Sequence, residues 1–186
     1  MNNNLFQGKL VRFVAEDPQI IAEAFSRWSR DSEYSRLLSA FPSGPNSVKS
    51  FKDWIEKEFE KERLDSYMFM IRTLQENLLI GEIDLEVIEG YHSDAFVGIS
   101  IGERRYWDKG YGTDAMNIML NYAFNELNLH RVSLNVFEYN PRAIHLYEKI
   151  GFTVEGRARE FLNRDGRRWD MIFMGILRES WQTYNA

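Results

Sequence analysis

Two glycines frame a tyrosine at Gly110–Tyr111–Gly112, directly before a run whose apolar spacing is helical. Glycine reaches backbone conformations closed to other residues and lets a ligand approach the main chain. The first turn of a helix also carries N–H groups without intrahelical partners, at the positive end of the helix dipole. A strand–glycine–helix junction of this kind can hold an anion, or can simply reverse the chain. Lys109 adds a cation beside it. The segment is not a Walker loop, since no Gly-Lys-Ser/Thr follows. It is a poor dinucleotide fingerprint, since Ala115 stands where a third glycine belongs.

A second group lies in Asn140–Phe152, NPRAIHLYEKIGF. Asn140 before Pro141 is an N-cap with proline at the first helical position. Ala143 and Tyr147 are four apart and Asn140 and Tyr147 seven apart, so all three share one helix face. Tyr147 there is either core or part of a site. Glu82, Asp84 and Glu86 alternate, which puts three carboxylates on one strand face. They are either solvated or line a cleft that attracts a cation. His130 and His145 lack partners at metal-ligand spacing, so no metal is expected. The absence of cysteine excludes disulfides, thiolate metal sites and a cysteine nucleophile.

The elements around these groups read as a mixed α/β chain. Lys9–Val14 is a short strand. Pro18–Arg30 is a helix with Ile21, Phe25 and Trp28 on one face, and Ser47–Glu62 is a helix with Phe51, Trp54, Ile55 and Phe59 as its stripe. FPSGPNS, residues 41–47, is the loop between them. Strands follow at Tyr67–Thr73, Leu78–Val87 and Asp94–Gly102. Gly110–Leu127 is a long helix, Arg131–Phe137 a strand, and Pro141–Ile150 a helix closed by Gly151. Phe152–Phe161 and Trp169–Leu177 are the last strands, and Asp165-Gly166 between them favours a tight hairpin. Such an order places helices on both faces of the sheet.

The 186 residues fit a single domain, 1–186, and a 44% apolar, 15% aromatic composition can fill its core. Apolar runs fall far short of the roughly 20 residues that span a bilayer, and the N-terminus lacks an apolar signal region. A cytoplasmic protein is expected, with no membrane partner. The net charge of −5 argues against nucleic acid and suits a cationic substrate.

The pair WDKGYGTDA and NPRAIHLYEKIGF, separated by a helix and a strand, resembles the two cofactor motifs of the GNAT superfamily of N-acetyltransferases. Within it the chain is similar to the branch of ribosomal-protein N-terminal acetyltransferases and spermidine acetyltransferases, from KLVRFVAED to the last strand. The resemblance implies a mixed, mostly antiparallel sheet flanked by helices on both faces, with splayed strands at the cofactor site. It implies acetyl-CoA as co-substrate. The strand at Ile99, Ser100 and Ile101 would pair with the pantetheine arm, and Gly98 and Gly102 are compatible with a bulge there. Backbone amides of Lys109, Gly110, Tyr111, Gly112 and Thr113 would hold the pyrophosphate. Trp107 replaces the usual Gln or Arg, which removes one side-chain contact and leaves the amides. Asn140 would hydrogen-bond the pantetheine or acyl region, and Tyr147 would sit beside the thioester sulfur.

Acyl transfer to an amine needs the amine deprotonated, donors for the oxyanion, and a proton for the leaving thiolate. The resemblance gives the last task to Tyr147. An amide near Ile101 is the oxyanion donor. Glu103, just past the cofactor strand, is the candidate base. Glu82 is the candidate acceptor-binding residue. Without cysteine, direct attack in a ternary complex is expected. The acceptor is a primary amine of a protein N-terminus, a polyamine or another small molecule, and a homodimer is possible. The competing reading is a non-catalytic acyl-CoA sensor.

Overall fold

A computed structural model describes residues 4–61, 65–88 and 92–184. Seven strands form one sheet in the order β1-β2-β3-β4-β5-β7-β6. They are β1 (Val11–Val14), β2 (Ser66–Thr73), β3 (Leu79–Ile88), β4 (Asp94–Ile101), β5 (Arg131–Phe137), β6 (Thr153–Arg164) and β7 (Arg167–Leu177). Every neighbouring pair is antiparallel except β4 and β5. At the β6–β7 turn Asp165 (φ 56°) and Gly166 (φ 70°) both take left-handed backbone, as a tight two-residue hairpin requires.

Helices α1 (Pro18–Trp28) and α3 (Val48–Phe59) cover one face. Their Ile21, Phe25, Trp28 and Ile55 pack with Met70 and Leu79 of the sheet. Helices α4 (Tyr111–Asn121) and α5 (Pro141–Lys149) cover the other, where Met116, Met119 and Leu120 meet Ile83, Leu85, Val97 and Leu134. Asp17 and Ser47 cap α1 and α3 as their side chains accept from Gln19 N and Ser50 N. The end expected for the second helix, Glu62, lies outside the described residues. No helix among the described residues is long and apolar enough to cross a membrane.

Three features depart from expectation. A short helix, α2 (Ser32–Leu38), stands ahead of the loop at 41–47, and α6 (Arg178–Tyr184) follows the last strand. The long helix changes to a π-turn over Tyr122–Glu126, where Leu127 N donates to Tyr122 O at 3.0 Å. The β3–β4 register is unbroken from Gly81↔Ile101 to Ile88↔Asp94, so the expected bulge is absent from that pairing. Gly98 and Gly102 answer to close packing instead. A Cβ on Gly98 would lie 2.5 Å from the Asp84 carboxylate, and one on Gly102 would lie 2.0 Å from the Trp28 ring.

Candidate active site

The sheet splits between its two parallel strands. β4 and β5 pair only at Asp94↔Arg131, Ala95↔Val132 and Phe96↔Ser133, although both strands run on. Gly102 N donates to Ile80 O across the β3 side. Strand alternation therefore turns the backbone groups of Val97, Ile99 and Ile101 the other way, into the gap. Ile101 O fits this, accepting from Trp107 Nε1 at 2.6 Å. A cleft of about 610 Å³ fills the gap and reaches both faces of the sheet.

The α4–α5 side of the cleft presents an uncapped helix start. Gly110 is the N-cap of α4 at φ 86°, and no side chain caps this end. The amides that open α4 are left for another acceptor. Gly110, Gly112 and Thr113 line the cleft. Gly112 sits tight against α5, since a Cβ there would lie 3.0 Å from Leu146 Cδ1. Asp114 pins this helix end, accepting from the amides of Lys9, Leu10 and Val11 at 2.8–3.0 Å. Trp107 lines the cleft, with the Arg142 guanidinium 4.0 Å and the Arg104 guanidinium 5.0 Å from its ring centroid.

Tyr111 and Lys109 sit differently from the rest of this group. The Tyr111 ring packs on Tyr106, with centroids 4.8 Å apart, and does not line the cleft. Lys109 is exposed and does not line the cleft. Arg142, His145 and Lys149 do line it, all from α5. The two cations of this edge, Arg142 and Lys149, were missed in the sequence, although Arg142 lies inside the NPRA motif.

Asn140 caps α5, its Oδ1 accepting from Ala143 N at 3.2 Å, and it also lines the cleft. The cap uses its oxygen and leaves its amide N–H groups for a ligand. Tyr147 is 7% exposed, packs on Phe152, and borders the cleft. Burial pushes its phenol up to about 12. Ile99, Ser100 and Ile101 supply the cleft wall from β4, and Asn135 adds a polar group from β5.

The opposite side of the cleft is acidic and is roofed by α2. Tyr34, Leu37 and Leu38 of α2 line it with Asp84 and Glu86 of β3. Burial, then the charge of Glu86, pushes Asp84 up to about 6. Glu82 lies behind this wall. Burial first, then the charge of Asp84, raises it to about 7, against a lowering hydrogen bond from Ser100. The α2 roof is fastened at both ends. Arg104 reaches Asp31 and Glu33 at its start (2.5 and 2.6 Å), and Arg164 and Tyr139 donate to Arg36 O at its end (2.5 and 2.6 Å).

Glu103 is not brought to the cleft. Its Oε1 accepts from Trp28 Nε1 at 2.9 Å and from Arg27 Nε and Nη2 at 3.1 and 2.8 Å. Burial pulls its carboxyl upward, but the Trp28 and Arg27 hydrogen bonds outweigh that and hold it below the usual range. The geometry therefore corrects the expectation of a base at Glu103, since a carboxylate already held by three N–H donors is a poor proton acceptor.

The acetyltransferase (GNAT) domain family matches residues 9–153. A spermidine N(1)-acetyltransferase of Vibrio cholerae is 37% identical over 113 residues, 61% of this chain and 64% of that protein, just under two thirds of its length. A Bacillus subtilis protein named "Putative ribosomal N-acetyltransferase YdaF" is 28% identical over 142 residues, 76% of this chain and 77% of its own. The crystal structure of spermidine N-acetyltransferase from Vibrio cholerae in complex with CoA and spermine superposes with a TM-score of 0.79. It shares 26% identity, covering 92% of this chain and 98% of that one. With this match and a split sheet bordered by an uncapped glycine–helix turn, the chain belongs to the GNAT family of N-acetyltransferases, which move an acetyl group from acetyl-CoA to an amine.

Proposed function

We propose that the protein acetylates a small polycationic amine of the spermidine type at a primary amino group. The observation that carries this reading is the polarity of the cleft. One side offers the uncapped end of α4 with Arg142, His145 and Lys149, and the other offers Asp84 and Glu86. A phosphate-bearing donor and a polycation can then approach each other from opposite faces of the sheet. The spermine in the Vibrio cholerae complex supports the same acceptor class.

In this reading acetyl-CoA supplies a thioester whose carbonyl the amine attacks directly. The N–H groups of Tyr111, Gly112 and Thr113 bind its diphosphate, and Arg142 adds charge. The gap-facing groups of Val97, Ile99 and Ile101 align the pantetheine arm and place an amide at the carbonyl oxygen. Asn140 donates to the same arm. Tyr147 donates its hydroxyl hydrogen to the sulfur as the C–S bond breaks. A side chain poised at the sulfur has use in turnover and little in a passive acyl-CoA sensor.

Thiol release with acetyl-CoA tests this across polyamines, aminoglycosides and peptides with free N-termini. Spermidine or spermine should be preferred. Asp84→Asn should raise the KM for spermidine about tenfold and that of a simple monoamine by less than twofold. Turnover of N-terminal peptides with no polyamine activity would overturn the reading.

A further inference from the structure

Glu82 is a half-buried carboxylate that does not line the cleft, yet it is joined to it by two hydroxyls. Ser100 Oγ donates to Glu82 Oε1 at 3.3 Å, and Tyr34 Oη and Ser100 Oγ lie 3.0 Å apart. Tyr34 and Ser100 both line the acceptor side. The chain crosses from α2 to β4 to β3, three elements with no local sequence relation. Its surroundings are few. On β3 the neighbouring charge is Asp84, with Glu86 beyond it. From β2 the residue opposite Glu82 is the apolar Met70. From α1 and α3 the residues packed with Met70 are Phe25, Trp28 and Ile55.

Resting on the amine-acetylation reading above, we propose that Glu82 receives the proton lost by the acceptor amine, relayed through Tyr34 and Ser100. The balance is simple. One N–H bond of the ammonium breaks, each hydroxyl takes one proton and passes one on, and one O–H bond forms at Glu82 Oε1. Nothing is oxidised or reduced. Burial and the nearby Glu82 charge push the Tyr34 phenol well above its usual value, so it passes a proton without lodging the charge. Glu82 itself is raised to about 7, so it is an empty proton acceptor at pH 8 and a filled one at pH 6. It touches no reacting atom and acts through the two hydroxyls.

The test is the pH dependence of kcat from pH 5.5 to 10 with spermidine and acetyl-CoA. Wild type should lose rate as pH falls through about 7. Glu82→Gln should lose that limb, with kcat at pH 8 down about a hundredfold and partly restored toward pH 10 as free amine accumulates. The KM for acetyl-CoA should stay within twofold. Ser100→Ala leaves Glu82 in place and breaks the relay, so it should reproduce the kcat loss even if Glu82→Gln folds poorly. An acid limb unchanged in both variants, with kcat within threefold, overturns the relay while amine acetylation stands. Absence of turnover with every amine overturns both.

Discussion

Tyr147→Phe removes a single oxygen from the centre of the site. The hydroxyl makes no hydrogen bond among the described residues and the side chain is 7% exposed, so the change breaks no protein contact and opens no cavity. Stability should move by less than about 1 kcal/mol, or roughly 2–4 °C in melting temperature for a chain of this size. The catalytic effect should be far larger. Burial holds the phenol at about 12, whereas a thiol has a pKa of about 8.5. Full transfer of the proton to the departing sulfur is then uphill by roughly 3.5 units, or about 5 kcal/mol. In the proposed mechanism Tyr147 would therefore act chiefly as a hydrogen-bond donor to the charge developing on sulfur. Losing one such donor costs about 10²–10³ in kcat, or ~2.7–4 kcal/mol.

A thiol-release assay between pH 6 and 10, with coenzyme A affinity measured by calorimetry, checks each part. Affinity should stay within twofold while kcat falls. Wild type should show no basic limb from Tyr147 in this range, because the phenol stays protonated throughout. A kcat within threefold of wild type refutes the donor role. A basic limb near pH 9 that vanishes in the Phe variant refutes the burial argument and restores full proton transfer.

Glu103→Gln should leave the pH profile of kcat unchanged and lower stability by about 1–2 kcal/mol, since it weakens the bonds from Arg27 and Trp28. The folded-state pKa of Glu103 is depressed, so its stabilisation is full above the unfolded value and fades as pH falls through the folded one. Thermal melts of the two proteins should therefore converge below about pH 4, and a lost acid limb with melting unchanged would instead make Glu103 the base. Arg142→Ala should weaken coenzyme A binding about tenfold and flatten its salt dependence, while Lys109→Ala, which touches no cleft surface, should change it less than twofold. Titration of both variants at two salt concentrations decides the matter, and the opposite ranking would refute the placement of the cationic edge.

The donor half of the cleft was legible in the sequence because its signals are local. Gly110 must adopt φ 86°, Asn140 caps its own helix, and Tyr147 sits one seven-residue step along it. Each constraint acts within a few residues. Glu103 misled for the same reason in reverse. Alternation from Ile101 would carry it to the α4 side, but the strand ends at Ile101 and Arg27 and Trp28, some 75 positions earlier, claim the carboxylate on the other face. Gly102 carries the mark of that event, since any Cβ there would collide with the Trp28 ring. No spacing rule contains such a contact. Glu82, Asp84 and Glu86 were found together by period-two alternation, yet their different depths depend on what α2 covers.

A seven-residue helix is marginal alone, and α2 buries no residue of its own. Arg104 fastens its first turn and Arg164 and Tyr139 both hold its Arg36 carbonyl, from positions 73 to 128 residues away. Tyr34 is brought to Ser100 only when β4, its following loop and the β6–β7 hairpin are in place. The anion-side turn rests on the β4–α4 junction and on β1, whose amides Asp114 holds, whereas the placing of Tyr34 draws on the loop after β4 and on the β6–β7 hairpin. Weakening the Arg164 clasp should thus loosen Tyr34 over Ser100 and leave the α4 anion site intact, which separates amine handling from coenzyme binding within one cleft.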